Sequence, residues 1–259
     1  MKLFRTCMQC QVENGRPNFG SMGTVAVPDA LVVKMECEAG HITHSVLQEQ
    51  RFELLSEMAV TAIADGYFRE AVGSFQASLE RLYEFFLRVC WRRARLSQTE
   101  TDRVWKLMAA QSERQFGAFS AEFFRETGRV PPTLRDVSVK FRNDVIHKGA
   151  FPTREEAISF GEAVATVVGP ILKHLKSDEC APVVQQLVLE QIRRGYEEAS
   201  AAGAHPSTMG LVTPFSLMVD AEIDLRKSVD EHEKRPDLTE AIRLAHALGV
   251  SAKHRAETA

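Results

Sequence analysis

Phe141-Arg142-Asn143-Asp144-Val145-Ile146-His147-Lys148-Gly149 brings an arginine, an amide, a carboxylate and a histidine together where one helix must stop and another begin. Gly149 suits the left-handed cap of a helix, and Pro152 cannot continue one. Upstream, Leu134, Val137, Phe141 and Val145 put an apolar face on a helix starting near Thr133. Downstream, Thr153 and Glu156 cap a second helix with apolar positions Ala157, Phe160, Val164, Val167, Val168, Ile171 and Leu175, and a kink is expected at Gly169-Pro170. Two amphipathic helices joined by so short a loop pack antiparallel, which predicts a helical bundle.

Working back towards the N-terminus, the same texture holds. Ser45 and Gln48 read as the cap of a first helix carrying Phe52, Leu55, Met58, Ala59, Ala62 and Ile63, which ends at Asp65-Gly66. A longer one follows with Phe68, Val72, Phe75, Leu79, Leu82, Phe86 and Val89 at three- and four-residue spacing. Ser97 and Glu100 cap a third, which carries Val104, Leu107, Met108, Phe116, Phe119 and Phe123 to Gly128. The expected organisation is a mainly α chain: a small β segment over residues 1–44, the bundle over 45–176, and a helical C-terminal extension over 177–259. In that extension helices are predicted from Val183 to about Ala199, from Phe215 to about Asp230 and from Leu238 to Leu248.

The β segment is read from its cysteines. Cys7-x-x-Cys10 and Cys37-Glu-Ala-Gly-His41 flank a stretch rich in Gly, Pro and β-branched residues. Two short turns offering paired soft ligands can complete a tetrahedral zinc site, so Cys7, Cys10, Cys37 and His41 are candidate ligands, with His44 a rival fourth. The pattern resembles a zinc ribbon. Its expected role is structural, because a β segment with little core needs metal to fold.

Composition excludes more than it assigns. A formal net charge of −3 is not that of a globally basic nucleic-acid binder, although a local basic patch can still attract phosphate. No apolar run approaches a membrane span, and the first residues lack a secretory signal, so a cytoplasmic location is expected.

Arg142 and His147 are five residues apart, which on a regular helix separates them by roughly 140°. An unbroken helix does not aim both at one small ligand. The helix is therefore expected to unwind near Ile146, freeing the imidazole, with Asn143 four residues earlier placed to orient it. Glu80 and Glu84 either pair with Arg142 or are solvated. An arginine, a polar amide and a histidine suit attack on a phosphodiester, with His147 as general acid or base and Arg142 holding the phosphate. RNA brings its own 2′-hydroxyl nucleophile, so neither a catalytic metal nor a protein nucleophile is needed. The competing reading is electrostatic, since cations near a helix C-terminus are favoured by the macrodipole. Lys148 and the run Arg88, Trp91, Arg92 and Arg95 are further candidates for RNA contact, through phosphate pairing and base stacking.

Arg142-Asn143-Asp144-Val145-Ile146-His147, followed by a loop and a capped amphipathic helix, resembles the HEPN superfamily. The resemblance implies a metal-independent endoribonuclease acting as a homodimer, with the Arg and His of two copies meeting across a two-fold axis. It also implies a setting in toxin–antitoxin or antiphage defence, where a neutralising protein partner is expected. Other members of that superfamily are non-catalytic RNA- or protein-binding modules, which is the alternative expectation here. A third possibility makes the extension from Ser177 a self-inhibitory or partner-binding arm.

Overall fold

The computed structural model describes residues 1–15, 18–204, 206–220 and 222–235, together with 240 and 243. In chain order the elements are β1 Lys2–Arg5, α1 Met8–Asn14, β2 Gly23–Ala26, β3 Val32–Glu36, β4 Ile42–Leu47, α2 Arg51–Ala64, α3 Phe68–Arg93, α4 Gln98–Met108, α5 Ser112–Thr127, α6 Asp136–Lys148, α7 Arg154–Leu175, α8 Ala181–Ala201, β5 Pro206–Met209 and α9 Leu225–Glu233. The chain is mainly helical, with a small β region near its N-terminus. It divides into two compact units: a helical one of Glu49–Leu189 with Val212–Glu233, and a smaller one that includes Met1–Gln48 and Glu190–Leu211.

The helical unit is built around α3, which packs against α2, α5, α6 and α7. Its stripe Val72, Phe75, Leu79, Leu82, Phe86 and Val89 is fully buried, as the three-and-four spacing requires. Tyr83 stacks on Phe119 with ring centroids 4.2 Å apart, and Phe86 meets Phe119 edge-on at 5.3 Å. Such aromatic pairs add about 0.5–1.5 kcal/mol to the burial of their area. The α7 helix starts with the expected Thr153–Glu156 capping box and continues through Pro170 to Leu175.

Several expectations are corrected. Residues 42–47 are a strand, not the start of a helix, and α2 is capped by a Gln50–Glu53 box instead of Ser45 and Gln48. The reason is the β-branched run with alternating partners: β4 pairs antiparallel with β3. The third predicted helix is two, α4 and α5, broken at residues 109–111, where the Gln115 side chain donates to the Ala109 carbonyl at 2.7 Å. The predicted helix from Phe215 to Asp230 exists only as α9; ahead of it the chain runs irregularly with Phe215 buried. The extension also holds a strand, because β5 pairs in parallel with β4. The helix predicted from Leu238 to Leu248 lies outside the described residues.

The irregular stretch and α9 together explain an oddity of α2, whose buried face includes Glu53, Ser56 and Glu57. The Leu217 N–H donates to Glu53 Oε1 at 2.8 Å, the Phe215 N–H to Ser56 Oγ at 3.3 Å, and His232 Nε2 lies 2.7 Å from Glu57 Oε1. Burial raises the Glu53 carboxyl to about 7, with Glu49 adding to the rise, against the opposing pull of the Gln50 and Leu217 N–H groups and Lys176. A carboxyl raised on folding binds more protons in the native state than in the unfolded one. Stability is therefore lost as pH rises between the unfolded value near 4.5 and about 7.

Two outcomes follow. Glu53→Gln should flatten the pH dependence of urea unfolding across that window and be relatively more stable above pH 7, by the order of 1–3 kcal/mol; a slope matching the wild type refutes the buried-carboxyl account. A methyl at Gly161 would stand 2.7 Å from the Phe75 ring and 3.0 Å from Leu225 Cδ1, whereas one at Gly73 meets nothing within 4 Å. Gly161→Ala should cost about 1–3 kcal/mol, while Gly73→Ala, mid-helix, should stabilise by about 0.5–1 kcal/mol, both read as shifts in denaturant midpoint.

Candidate functional site

The smaller unit gathers the residues of the predicted metal site. Cys7 is the N-cap of α1 and accepts the Cys10 N–H on its sulfur at 3.4 Å, while its own N–H donates to Ser21 Oγ at 3.0 Å. Cys37 and His41 face each other across the turn that joins β3 to β4: the Cys37 N–H donates to the His41 carbonyl at 3.1 Å and the Gly40 N–H to the Cys37 carbonyl at 2.8 Å. Gly40 takes φ +80°, the left-handed conformation the turn needs. This hairpin is why three residues separate the second ligand pair, where a tighter knuckle would have two.

Cys7, Cys10, Cys37 and His41 offer ligand atoms that all lie within 4.8 Å of one another, and the cluster could hold a metal ion such as zinc. The Cys10 and Cys37 sulfurs are 3.8 Å apart, and His41 Nδ1 is 3.8 Å from Cys7 and 3.3 Å from Cys10. Tetrahedral zinc with Zn–S near 2.3 Å requires S···S of about 3.8 Å, so the donor set fits. The other ring nitrogen of His41, Nε2, stands 3.4 Å from Glu13, the carboxylate–histidine arrangement that fixes a ligand ring. His44 is not in the cluster; it sits mid-strand in β4 opposite Lys34.

The thiols are unequal. Burial, with hydrogen bonds and charge from Cys37 and Cys7, pushes Cys10 up to about 12. Burial also acts against the Cys37 thiolate, but N–H groups of His41 and Ala39, with Cys7 and Cys10, outweigh it and hold Cys37 below the ordinary value. Ionising all three crowded thiols needs a cation among them.

Three groups of this unit had no sequence signal. Arg5 is buried, its Nη2 donating to Ser207 Oγ at 2.8 Å and its Nη1 with no hydrogen-bond partner. Thr43 Oγ1 is also buried and unpartnered. Glu13 gave no signal either, because a helix-exposed carboxylate three residues past a cysteine is unremarkable until the hairpin places His41 opposite.

The second set of predicted residues lies on α6 in the helical unit. The helix does not unwind at Ile146: it continues to Lys148, and Gly149, at φ +73°, caps it by donating to the Asp144 carbonyl. The expected freeing of the imidazole is thus corrected, because the Gly149 cap closes the last turn only after His147 has taken its helical place. Arg142 and His147 keep the roughly 140° separation of a regular helix, and no hydrogen bond links Asn143 to His147 among the described residues. His147 is exposed; Arg142 is half-buried, its Nε buried without a partner. Lys148 pairs with Asp144 at 2.7 Å. Glu84 is taken by Arg81 and Arg88, and Glu80 accepts from Gln76, so neither pairs with Arg142.

The cations at the end of α3 are placed differently from one another. Arg88 is held between Glu84 and Asp102, both at 2.8 Å, and Arg92 donates to Gln98. Arg95 lies beyond the helix end at φ +61°, so it does not continue the face of Arg88 and Arg92, and Trp91 is half-buried.

The purified chain should carry about one equivalent of zinc by elemental analysis. Cys37→Ser and His41→Ala should lose most of it and His44→Ala should retain it, while a strong chelator should lower the chain's thermal stability. Loss of zinc in His44→Ala with retention in His41→Ala would overturn the ligand assignment. No family model matches the chain, and no curated protein or solved structure matches it.

Proposed function

We propose that the helical unit is half of a HEPN-type, metal-independent endoribonuclease that works as a homodimer. The observation that carries this reading is the state of Arg142: its Nε is buried and unpartnered, while Arg81, Arg88, Arg93, Arg125, Arg154 and Arg226 are each engaged by carboxylates. Half-buried, with no carboxylate holding it and on the same helix as an exposed histidine, Arg142 can offer its outer guanidinium nitrogens to an anion that comes from outside. The surrounding charge supports it. Residues 129–148 hold five Lys or Arg against two Asp in a chain of net charge −3, and Arg129, Arg135 and Lys140 make no ion pair among the described residues.

Helical geometry supports the dimer. Arg142 and His147 of one copy diverge, so a phosphate held by Arg142 meets an imidazole most simply from a second copy facing it. Val137 and Phe151 are exposed at the two ends of α6, where such a copy would find apolar surface. In the reaction one His147 takes the proton of the 2′-hydroxyl, the 2′-oxygen bonds to phosphorus, and the P–O5′ bond breaks. The second copy's His147 protonates the departing 5′-oxygen. The products are a 2′,3′-cyclic phosphate and a 5′-hydroxyl, and Arg142 pairs with the non-bridging oxygens as charge gathers on them. The cysteine–histidine cluster is, in this reading, a structural zinc site outside the chemistry. A toxin–antitoxin or antiphage role follows only from the superfamily likeness.

The same unpaired cations favour a second reading, an RNA-binding module without catalysis. One assay separates the two. RNA incubated with the chain in chelator should be cut to cyclic-phosphate ends, and Arg142→Ala and His147→Ala should each lose about a hundredfold or more in rate. Binding without cleavage selects the module; neither binding nor cleavage of any RNA overturns both.

A further inference from the structure

We infer that Arg5 is the built-in counter-charge of the cysteine–histidine metal site, setting how tightly the smaller unit holds a divalent ion. The inference rests on the metal reading of Cys7, Cys10, Cys37 and His41 and concerns none of those ligands.

The charge count comes first. A divalent ion with three thiolates and a neutral imidazole carries one net negative charge, and its three sulfurs belong to buried residues. Burying such a charge is costly unless an opposite one lies close by. Arg5 supplies it, being only 8% exposed, with no carboxylate partner and with Nη1 shielded from solvent. It stands two residues before Cys7 and opposite Gly23 in the β1–β2 register, where a Cβ on Gly23 would lie 3.3 Å from Met35 Sδ, and Met35 belongs to the buried cluster of Cys7, Cys10 and Cys37. Glu13, the carboxylate at the cluster, is occupied with His41 Nε2 and Gln9, so it does not serve Arg5.

Sheet register agrees. In β3 and β4, Met35 pairs with Thr43 and Val33 with Ser45, so these four share one face. Met35 belongs to one buried cluster with Cys7, Cys10 and Cys37. On the same face, Ser45 Oγ lies 2.7 Å from Ser207 Oγ, the group that holds Arg5 Nη2. The serine pair tethers one nitrogen of the guanidinium and leaves the other without a neutral partner. An unpaired buried guanidinium is among the least favourable groups a core can hold, and an anionic metal–thiolate centre removes that penalty for both.

The test compares charge with packing in the full zinc-loaded chain. Arg5→Gln keeps a donor for Ser207 and removes the charge; Arg5→Met removes both; Arg5→Lys keeps the charge. Zinc transfer to a chromophoric chelator gives relative affinity, and the ligand-field bands of the cobalt-substituted chain report whether the three-sulfur, one-nitrogen set is intact. Both neutral variants should lose zinc about tenfold more readily than wild type, as changes outside the ligand shell commonly do, Arg5→Lys should stay close to wild type, and the cobalt bands should keep their shape. If Arg5→Met does not fold, Arg5→Gln carries the comparison. Wild-type zinc retention in Arg5→Gln overturns the inference, as does a loss in Arg5→Lys equal to that in Arg5→Gln. A chain that binds no zinc at all sinks the metal reading itself.

Discussion

Helix α3 buries Val72, Phe75, Leu79, Leu82, Phe86 and Val89 together with Tyr83 and Phe85, and an apolar surface that wide needs cover from several neighbours at once. The placing of α2, α5, α6 and α7 follows from this. So does the exposure of the α6 C-terminus: with Val145 turned into the core, residues 147–150 are left in solvent. The side chains with chemical interest thus stand where the demand for burial ends.

How much was legible beforehand depends on whether an element announces itself through its own residues. The α3 and α7 helices did, because their apolar positions recur at helical spacing over many turns. The site at Cys7, Cys10, Cys37 and His41 did too, since paired spacing narrows the chemistry. The β4 strand did not: Ser45 and Gln48 imitate a cap, and only pairing with β3 and β5 shows that the run is extended. The β5 strand, Pro206-Ser207-Thr208-Met209, has almost no apolar alternation and is specified by its partner. The break between α4 and α5 carries neither Gly nor Pro at residues 109–111 to mark it.

The site residues show the same split. His41 and His44 are equal as letters, and a hairpin turn separates them. Arg142 and His147 were legible as a pair by type, but their divergence on an unbroken helix depends on where the cap closes, two residues after His147. Arg5 was invisible. Near an N-terminus an arginine in a four-residue strand reads as solvated, and its burial comes from Ser207, 202 positions away.

That last separation has a consequence for the order in which the protein can be made. On a ribosome the ligands Cys7 to His41 emerge about 160 residues ahead of β5, which completes the sheet behind them. The helical unit waits as well, since Phe215, Leu225 and Val229 belong to its core. The sheet of the smaller unit cannot close before β5 has left the exit tunnel, nor can the helical unit complete its core before Val229 has. The core around α3 therefore gains its last apolar cover from residues made well after α3, α6 and α7 themselves.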